Sequence, residues 1–143
     1  MKGWLDVIWG QRDWSRASEF AAEDMITHGI DGQQQVGLQG FHDEVFAPLT
    51  ALFAETRIEL DAIHTVKPGF YGLQATFRAV THGGKSATFG GTGFVRFNDD
   101  HKLAEGWNQW DFLSMMEQIG EVPMGCMGAL FGKVCDPNNN TVI

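Results

Sequence analysis

Cysteine is scarce in this sequence, and long apolar runs are missing from it. Its 143 residues include only two cysteines, Cys126 and Cys135, and two cysteines do not make a disulfide framework. No apolar run approaches the roughly 18 residues of a membrane-spanning helix, and we expect no secretory signal before the domain. We therefore expect a reducing, cytoplasmic setting.

Positive charge is also in short supply. The chain has 10 Lys and Arg against 18 Asp and Glu, for a formal net charge of −8, and the basic residues form no cluster. Because nucleic-acid binding depends on clustered basic side chains, DNA and RNA are not expected partners. The spacings of zinc ligands, metalloprotease motifs and Gly-rich nucleotide loops are missing too, so no metal or other cofactor is expected.

Apolar and aromatic residues, by contrast, are plentiful. Hydrophobic residues make up 43% of the chain, which contains 11 Phe and 5 Trp against a single Tyr. A chain of this length and composition is expected to form one domain with a substantial core. The aromatic side chains supply wall material for an apolar pocket, although they do not identify its ligand.

The first third of the chain favours helices. Apolar residues recur at helical spacing in Trp4–Gly10 and again along one face of residues 40–53. Pro48 lies inside the second run and predicts a kink or two short helices there. Between the two runs, residues 25–28 form a short predicted strand that ends at Gly29.

From Arg57 onward the apolar period changes from about 3.6 to 2, which indicates strands. A helix follows the last strand, at residues 112–119, and the strands are predicted at residues 57–66, 71–82, 87–97 and 103–110. Helices followed by a meander of strands predict an α+β fold, with a curved antiparallel sheet folded over packed helices. Glycines at positions 90, 91 and 93 predict a bulge or sharp bend in the third strand.

The most informative carboxylate is Asp111, where the last strand meets the last helix. Beside Trp107 and Trp110 it could lie in a dry pocket, an environment that suits a proton-transfer group. Asp is also a preferred N-cap, which is the commoner role, with Gly120 as the left-handed residue that ends the helix. Regular alternation places Trp107 and Asp111 on one face of the strand, and Asn108 and Trp110 on the other.

Several short motifs together resemble one known family. They are Asp24-x-x-x-His28-Gly29, Gly40, Thr81-His82-x-Gly84, Gly90, Thr92-Gly93, Glu105-x-Trp107-x-x-x-Asp111 and Met116-x-Gln118-Ile119-Gly120. Spread over residues 12–120, this set is similar to the SnoaL-like polyketide cyclases and their ester-cyclase relatives. The resemblance implies the cone-shaped α+β half-barrel of the nuclear transport factor two superfamily, enclosing a pocket. The expected layout is a single domain, with residues 121–143 as a C-terminal extension.

The resemblance also implies an activity, because family members of known activity close a ring by intramolecular aldol condensation without metal or cofactor. We accordingly expect acid/base chemistry, an aldol-type cyclisation or an isomerisation, on an apolar carbonyl-bearing small molecule. By position, Asp111 is the expected acid/base and His82 the assisting group. A homodimer is implied as well. The residues expected to contact the substrate are His28, Thr76, Arg78, Trp107, Asn108 and Met115.

The residues leave three alternatives to this activity. A non-catalytic binding protein would hold a hydrophobic small molecule in the same barrel, and Asp111 would cap its helix and point away. A ketosteroid-isomerase-like enzyme would need a phenol as oxyanion donor, and Tyr71 is the only tyrosine. An epoxide-hydrolase-like enzyme would need an Asp-Arg-Asp set, of which Arg78 and Asp111 provide a part.

Overall fold

Six strands form a single curved sheet that does not close into a barrel. The computed structural model describes residues 1–30 and 32–132. Neighbouring strands are antiparallel except β1 and β6, which run parallel, and the order across the sheet is β2-β1-β6-β5-β4-β3. The strands are β1 (Ala21–Ile30), β2 (Gln33–Val36), β3 (Phe53–Lys67), β4 (Phe70–Thr81), β5 (Ser86–Phe97) and β6 (Leu103–Trp110).

Short helical segments fill the N-terminal third and follow the last strand. A segment with wide π-type turns spans Trp4–Gly10, and a 3-10 turn at Trp14–Arg16 leads into the first α-helix. A second π-type segment, His42–Phe46, separates the next two α-helices. The α-helices are α1 (Ala17–Phe20), α2 (Gly37–Phe41), α3 (Ala47–Leu52) and α4 (Phe112–Ile119). The predicted α+β fold is thus confirmed.

The backbone stays helical up to Pro48 and beyond it, with a change of turn type just before this residue. Residues 37–52 form three consecutive helical segments rather than one long helix, and Pro48 lies in the first turn of α3. Phe53, which was expected to end the helix, already begins β3 and is fully buried.

The core lies between the helical segments and the inner, concave face of the sheet. On β4, Ala75, Phe77 and Ala79 are buried and alternate with more exposed residues, as the two-residue period predicts. The ring of Phe77 packs edge-on against Trp9 from the first helical segment, with centroids 5.7 Å apart. It also stacks on Phe89 of β5 at 4.9 Å. Aromatic contacts therefore join the helices to the sheet.

β3 departs from the prediction along its second half. Alternation over residues 57–66 predicted one buried face, but of that face only Ile58 is buried. The pairing of β3 with β4 shifts between Leu60 and Ala62. Because an extra residue in one strand moves the side chains that follow it to the other face, the predicted alternation fails beyond this point. His64 and Val66 are consequently exposed.

The glycines of β5 do not form the predicted bulge, since β4 and β5 pair without a register shift along their whole length. Gly91 and Gly93 make room for β6 instead. A Cβ at Gly91 would overlap the indole ring of Trp110, and a Cβ at Gly93 would overlap the carbonyl oxygen of Trp107. Glycine therefore serves close packing between the two strands here.

The segment after α4 is short in the described part of the chain. A 3-10 segment spans Cys126–Phe131, and Cys135 and the loop predicted over residues 136–140 lie outside the described residues. Within residues 1–30 and 32–132, no helix has both the length and the apolar character needed to cross a membrane.

Candidate functional site

A cavity of about 90 Å³ lies between the concave face of the sheet and the N-terminal helical segments. Its walls are mostly aromatic and aliphatic. Ile30, Leu49, Leu60 and Leu73 line it and are only half-buried, which places them at its rim. The aromatic residues in its wall are Trp4, Trp9, Phe41, Phe77, Trp110 and Phe112.

The cavity wall carries almost no polar side chains. Among the described residues that line it, none has an ionisable side chain, and the polar ones are Thr27, Thr92 and Asn108. The lining also includes Met1, whose terminal ammonium has its pKa lowered by burial. The hydroxyl of Thr27 donates to Oε1 of Gln35 at 3.0 Å, and both of these side chains are buried. Thr92 of β5 pairs with Gln109 of β6, and Gln109 does not line the cavity. The side chain of Asn108 forms no hydrogen bond to any described residue.

The alternation of side chains along β6 places Asn108 on the cavity side of the sheet. Asn108 and Trp110 pair across the sheet with Gly93 and Gly91 of β5, and all four line the cavity. The Nδ2 atom of Asn108 lies 3.5 Å from the position of a Cβ at Gly106, the residue that precedes it on the same face. Its backbone carbonyl, beside Gly29, borders the outer side of the sheet. Asn108 and Trp110 therefore share one face of β6, as the alternation along the sequence predicts.

Asp111 lies outside the cavity and caps α4. Its Oδ1 accepts a hydrogen bond from the backbone N–H of Ser114 at 3.0 Å, and its own N–H donates to the carbonyl of Gly90. The residue is exposed and does not line the cavity. At the other end of the helix, Gly120 adopts a left-handed conformation, with φ at 83°. Both ends of α4 thus have the capping geometry that the sequence offered as the simpler interpretation.

His82 follows the end of β4 and is exposed. Its Nε2 donates to the carbonyl oxygen of Ala51, at the end of α3, over 3.2 Å. It does not line the cavity, and no hydrogen bond joins it to Asp111. Asp111 and His82, which were expected to act together, therefore form hydrogen bonds with two different backbone groups.

Thr76 and Arg78 lie on the outer, convex face of the sheet. Their neighbours Ala75, Phe77 and Ala79 face the core, so alternation turns Thr76 and Arg78 outward. The Thr76 hydroxyl donates to Oδ2 of Asp61 at 2.7 Å, and the Arg78 Nε lies 3.2 Å from Oε2 of Glu59. The expected contact of Thr76 and Arg78 with a ligand in the cavity does not fit these positions.

His28 and Trp107 meet on the outer face, where the parallel pairing of β1 with β6 places them side by side. Their rings stack with centroids 5.2 Å apart. The His28 Nε2 donates to Oε1 of Glu105 at 2.9 Å, and the Arg96 guanidinium donates to Oε2. The hydrogen bond from His28, supported by that from Arg96, holds the pKa of the Glu105 carboxyl below its usual value.

His28 and Trp107 border a groove of about 690 Å³ on the outer face. We call it the outer groove; His28, His64, Val66, Phe94 and Trp107 line it. Phe94, which is 47% exposed, also stacks on Phe70 at 5.6 Å. The outer groove is therefore partly apolar. It lies across the sheet from the inner cavity, and Leu73, Thr92, Gly93 and Asn108 border both.

Met115 is buried in the core on the inner side of α4 and does not line the cavity. Of the eight expected site residues, only Asn108 lines the inner cavity, and His28 and Trp107 are brought together by the stacking of their rings. Sequence reasoning missed Thr27, whose signal was the alternation of Met25 with Thr27, both buried on β1. In the described part of the chain, no three His, Cys, Asp or Glu side chains are placed to hold a metal ion.

Comparison with known proteins agrees with this architecture. The profile of the SnoaL-like polyketide cyclase family matches residues 1–119, whereas no curated protein matches the chain. TsrD from Streptomyces laurentii has a similar structure, with a TM-score of 0.70 at 15% identity over 85% of this chain and 92% of that one.

Two further structures with the same fold contain small molecules. A hypothetical protein from Catenulispora acidiphila, with a ketosteroid isomerase-like fold and in complex with trimethylamine, gives a TM-score of 0.70 at 12% identity over 83% of this chain and 90% of that one. TerC, co-crystallised with polyporic acid, gives a TM-score of 0.67 at 16% identity, and the match covers 80% of this chain and 91% of that one.

Proposed function

Because the chain belongs to the SnoaL-like polyketide cyclase family, we propose that it acts through its inner cavity, where it binds a small and mostly apolar molecule. One observation carries this proposal: no described residue lining the cavity has an ionisable side chain, while six of them are Trp or Phe. Such a wall binds by apolar contact and shape and offers no side chain for proton transfer.

The surroundings of the cavity support binding as well. The half-buried residues Leu60 and Leu73 form an apolar rim through which a hydrophobic molecule can enter. Structures with the same fold hold polyporic acid and trimethylamine, which supports a small-molecule ligand for this chain too.

Acid/base catalysis, in the form of aldol-type cyclisation or isomerisation, is the second candidate, and membership of the family favours it. It requires a general base within reach of the proton that it removes, and the resemblance assigns this role to Asp111 with help from His82. Asp111 has its Oδ1 engaged by Ser114 N–H at the start of α4, and His82 is engaged by Ala51. These positions favour the binding function over the catalytic one.

Titration calorimetry with acetophenone, an uncharged ligand of one ring, tests the proposal. Wild type is expected to bind it, and Asp111→Asn and His82→Ala are expected to bind it equally well, because neither residue lines the cavity. A wild type that binds neither acetophenone nor benzene contradicts the proposal. Turnover of a carbonyl substrate by wild type that both substitutions abolish would establish the catalytic candidate instead.

We also propose that the chain pairs with a second copy through its outer face. The outer groove exposes the apolar side chains of Val66 and Phe94 to 56% and 47%. Contiguous exposed apolar surface of this kind is typical of an interaction site. The homodimer implied by the resemblance would cover it.

A further inference from the structure

A further groove gathers positive charge from distant parts of the chain. Arg12, Arg57 and Arg78, three of the five arginines of the sequence, line a groove of about 620 Å³. We call it the arginine groove. It lies at the start of β3, the end of β4 and the start of β5, and it shares no lining residue with the inner cavity or the outer groove. In a chain with a formal net charge of −8, this concentration of arginines indicates an anionic partner.

Two of the arginines repel each other. Arg57 and Arg78 lie directly opposite on β3 and β4, and like charges in this position destabilise a sheet. The carboxylate of Glu59 contacts both: its Oε1 is 3.2 Å from Nε of Arg57, and its Oε2 accepts a hydrogen bond from Nε of Arg78 at 3.2 Å. One negative charge thus serves two positive ones, and the group of three side chains keeps a surplus of one positive charge.

Arg12 adds a charge that no described carboxylate neutralises. Its guanidinium donates to the backbone carbonyl oxygens of Thr50 and Phe53, at 3.3 and 2.6 Å, and forms no ion pair with a described residue. Glu55 also lines the groove and has no ion pair within the described part of the chain. With Glu55 and Glu59 set against the three arginines, the groove remains positively charged.

The groove also offers free hydrogen-bond donors. Neither Nη atom of Arg57 donates to a described residue, and the same holds for Nη2 of Arg78. The Thr88 hydroxyl accepts from Nη1 of Arg78 at 3.5 Å, so its own hydrogen can still be donated. Ser86 lies on the same face of β5, is exposed and lines the groove too. This number of donors suits the three terminal oxygens of a phosphate group better than the two oxygens of a carboxylate.

Gln118 of α4 fixes the β5 side of the groove. The pairing of β5 with β6 ends at Gly91, and the Gln118 amide takes the place of the strand beside Thr88. Its Oε1 accepts from the Thr88 N–H at 2.8 Å, and its Nε2 donates to the Thr88 carbonyl oxygen at 2.9 Å. With β3 and β4 paired on the other side, the backbone of the groove is ordered before any ligand binds, which lowers the entropic cost of binding.

We propose that the arginine groove binds the phosphate group of a small phosphomonoester through Arg57, Arg78 and Thr88. The free Nη atoms of the two arginines donate to the phosphate oxygens. The negative charge of the ligand offsets the repulsion that Glu59 offsets only in part. Glu55 and Glu59 disfavour a polyanion such as a nucleic acid, because it would bring further phosphates close to them. This second site is independent of the binding function proposed for the inner cavity.

Titration calorimetry in low-salt buffer tests the site with three probes: inorganic phosphate, acetate, and dimethyl phosphate as a mimic of phosphodiesters. Wild type is expected to bind inorganic phosphate at least about tenfold more tightly than the other two, which carry less charge and fewer terminal oxygens. Arg57→Gln and Arg78→Gln should each weaken phosphate binding by about tenfold, the value of a charged hydrogen bond. Arg16→Gln removes an arginine that pairs with Glu19 outside the groove and should match wild type.

Glu59→Gln should have the opposite effect. Without the Glu59 carboxylate both arginines are available to the ligand, so phosphate binding should tighten by about two- to fivefold, the value of an exposed ion pair. Glu19→Gln makes the same change of net charge at an ion pair outside the groove and should leave phosphate binding unchanged. Equal tightening by both substitutions would mean that phosphate responds to net charge alone, which overturns the proposal.

The remaining outcomes are equally decisive. The proposal is wrong if wild type does not bind inorganic phosphate, or if Arg57→Gln and Arg78→Gln bind it as tightly as Arg16→Gln does. Acetate or dimethyl phosphate binding as tightly as inorganic phosphate would overturn the assignment to phosphomonoesters. None of these outcomes depends on whether the inner cavity binds acetophenone, so failure of one proposal leaves the other standing.

Discussion

Asn108 and Asp111 lie three residues apart in the chain but in different environments. The Asn108 side chain lines the inner cavity, whereas the Asp111 carboxylate accepts the backbone N–H of Ser114 at the exposed start of α4. The residue in the cavity is thus a neutral amide, and the carboxylate performs a structural task outside it. This relationship underlies the preference for binding over proton transfer.

Removing the cap should destabilise the protein without affecting the cavity. Asp111→Ala is expected to lower the free energy of unfolding by about 1 kcal/mol, because the N–H of Ser114 loses its acceptor. Asp111→Asn keeps an acceptor and should stay close to wild type. Urea unfolding measures both variants, and the capping account is wrong if alanine and asparagine have the same effect.

Gly91 and Gly90 provide a matched pair that tests the packing of Trp110. A Cβ at Gly91 would overlap the Trp110 ring, whereas a Cβ at Gly90 meets nothing within 4 Å. Gly91→Ala should therefore lower the free energy of unfolding by about 1–3 kcal/mol, the usual cost of overpacking, and weaken acetophenone binding. Gly90→Ala should do neither. Equal stability of the two variants in chemical denaturation would show that Trp110 lies elsewhere.

The ion-pair cluster on the outer face should make stability depend on pH. The pKa of the Glu105 carboxyl is lowered in the folded state, first by the hydrogen bond from His28 and then by that from Arg96. A lowered pKa contributes stability above the unfolded value of about 4.3, and this contribution is lost as pH falls through the folded value.

Glu105→Gln should accordingly be less stable than wild type near pH 6, with a difference that shrinks as pH falls below about 4.3. Thermal unfolding from pH 3 to pH 6 measures this difference. Glu23→Gln is the control, because Glu23 is exposed on the same strand as His28 and has no side-chain partner in the described part of the chain. A difference that is constant with pH would contradict the assignment.

A charge in the outer groove should separate the proposed homodimer. Phe94→Glu places a carboxylate on the exposed apolar surface of β5, and sedimentation equilibrium should then report a monomer. Val36→Glu, at the far edge of the sheet, replaces another exposed apolar residue, 64% exposed, and should leave the dimer intact. A monomeric wild type would disprove pairing through this face.

Much of the sheet could be predicted from the sequence because its pattern is regular. β4 alternates over residues 74–79, and β6 has the predicted bounds and the predicted parity. The prediction for β3 failed in the second half of the strand, because the shift in its pairing with β4 between Leu60 and Ala62 is not visible in the apolar pattern. The strand at residues 25–28 was predicted too short, since its exposed residues Glu23 and Asp24 hide the first part of β1.

The site was harder to predict than the fold. Parity alone separates Asn108 from Asp111, but the expected roles of Asp111 and His82 came from their positions in the family motif. Which hydrogen bonds each side chain makes depends on neighbours distant in the chain, such as Ala51 for His82. The lack of ionisable side chains in the cavity wall is likewise a property of residues brought together from several elements, and no single motif encodes it.

The most direct test of the central claim is the NMR spectrum of the indole N–H groups during titration with acetophenone. Trp4, Trp9 and Trp110 line the inner cavity, whereas Trp107 lines the outer groove. Binding in the cavity predicts that the three inner resonances shift with a common saturation curve while that of Trp107 does not. Shifts confined to Trp107, or no shift at any indole, would contradict the claim that the inner cavity is the binding site.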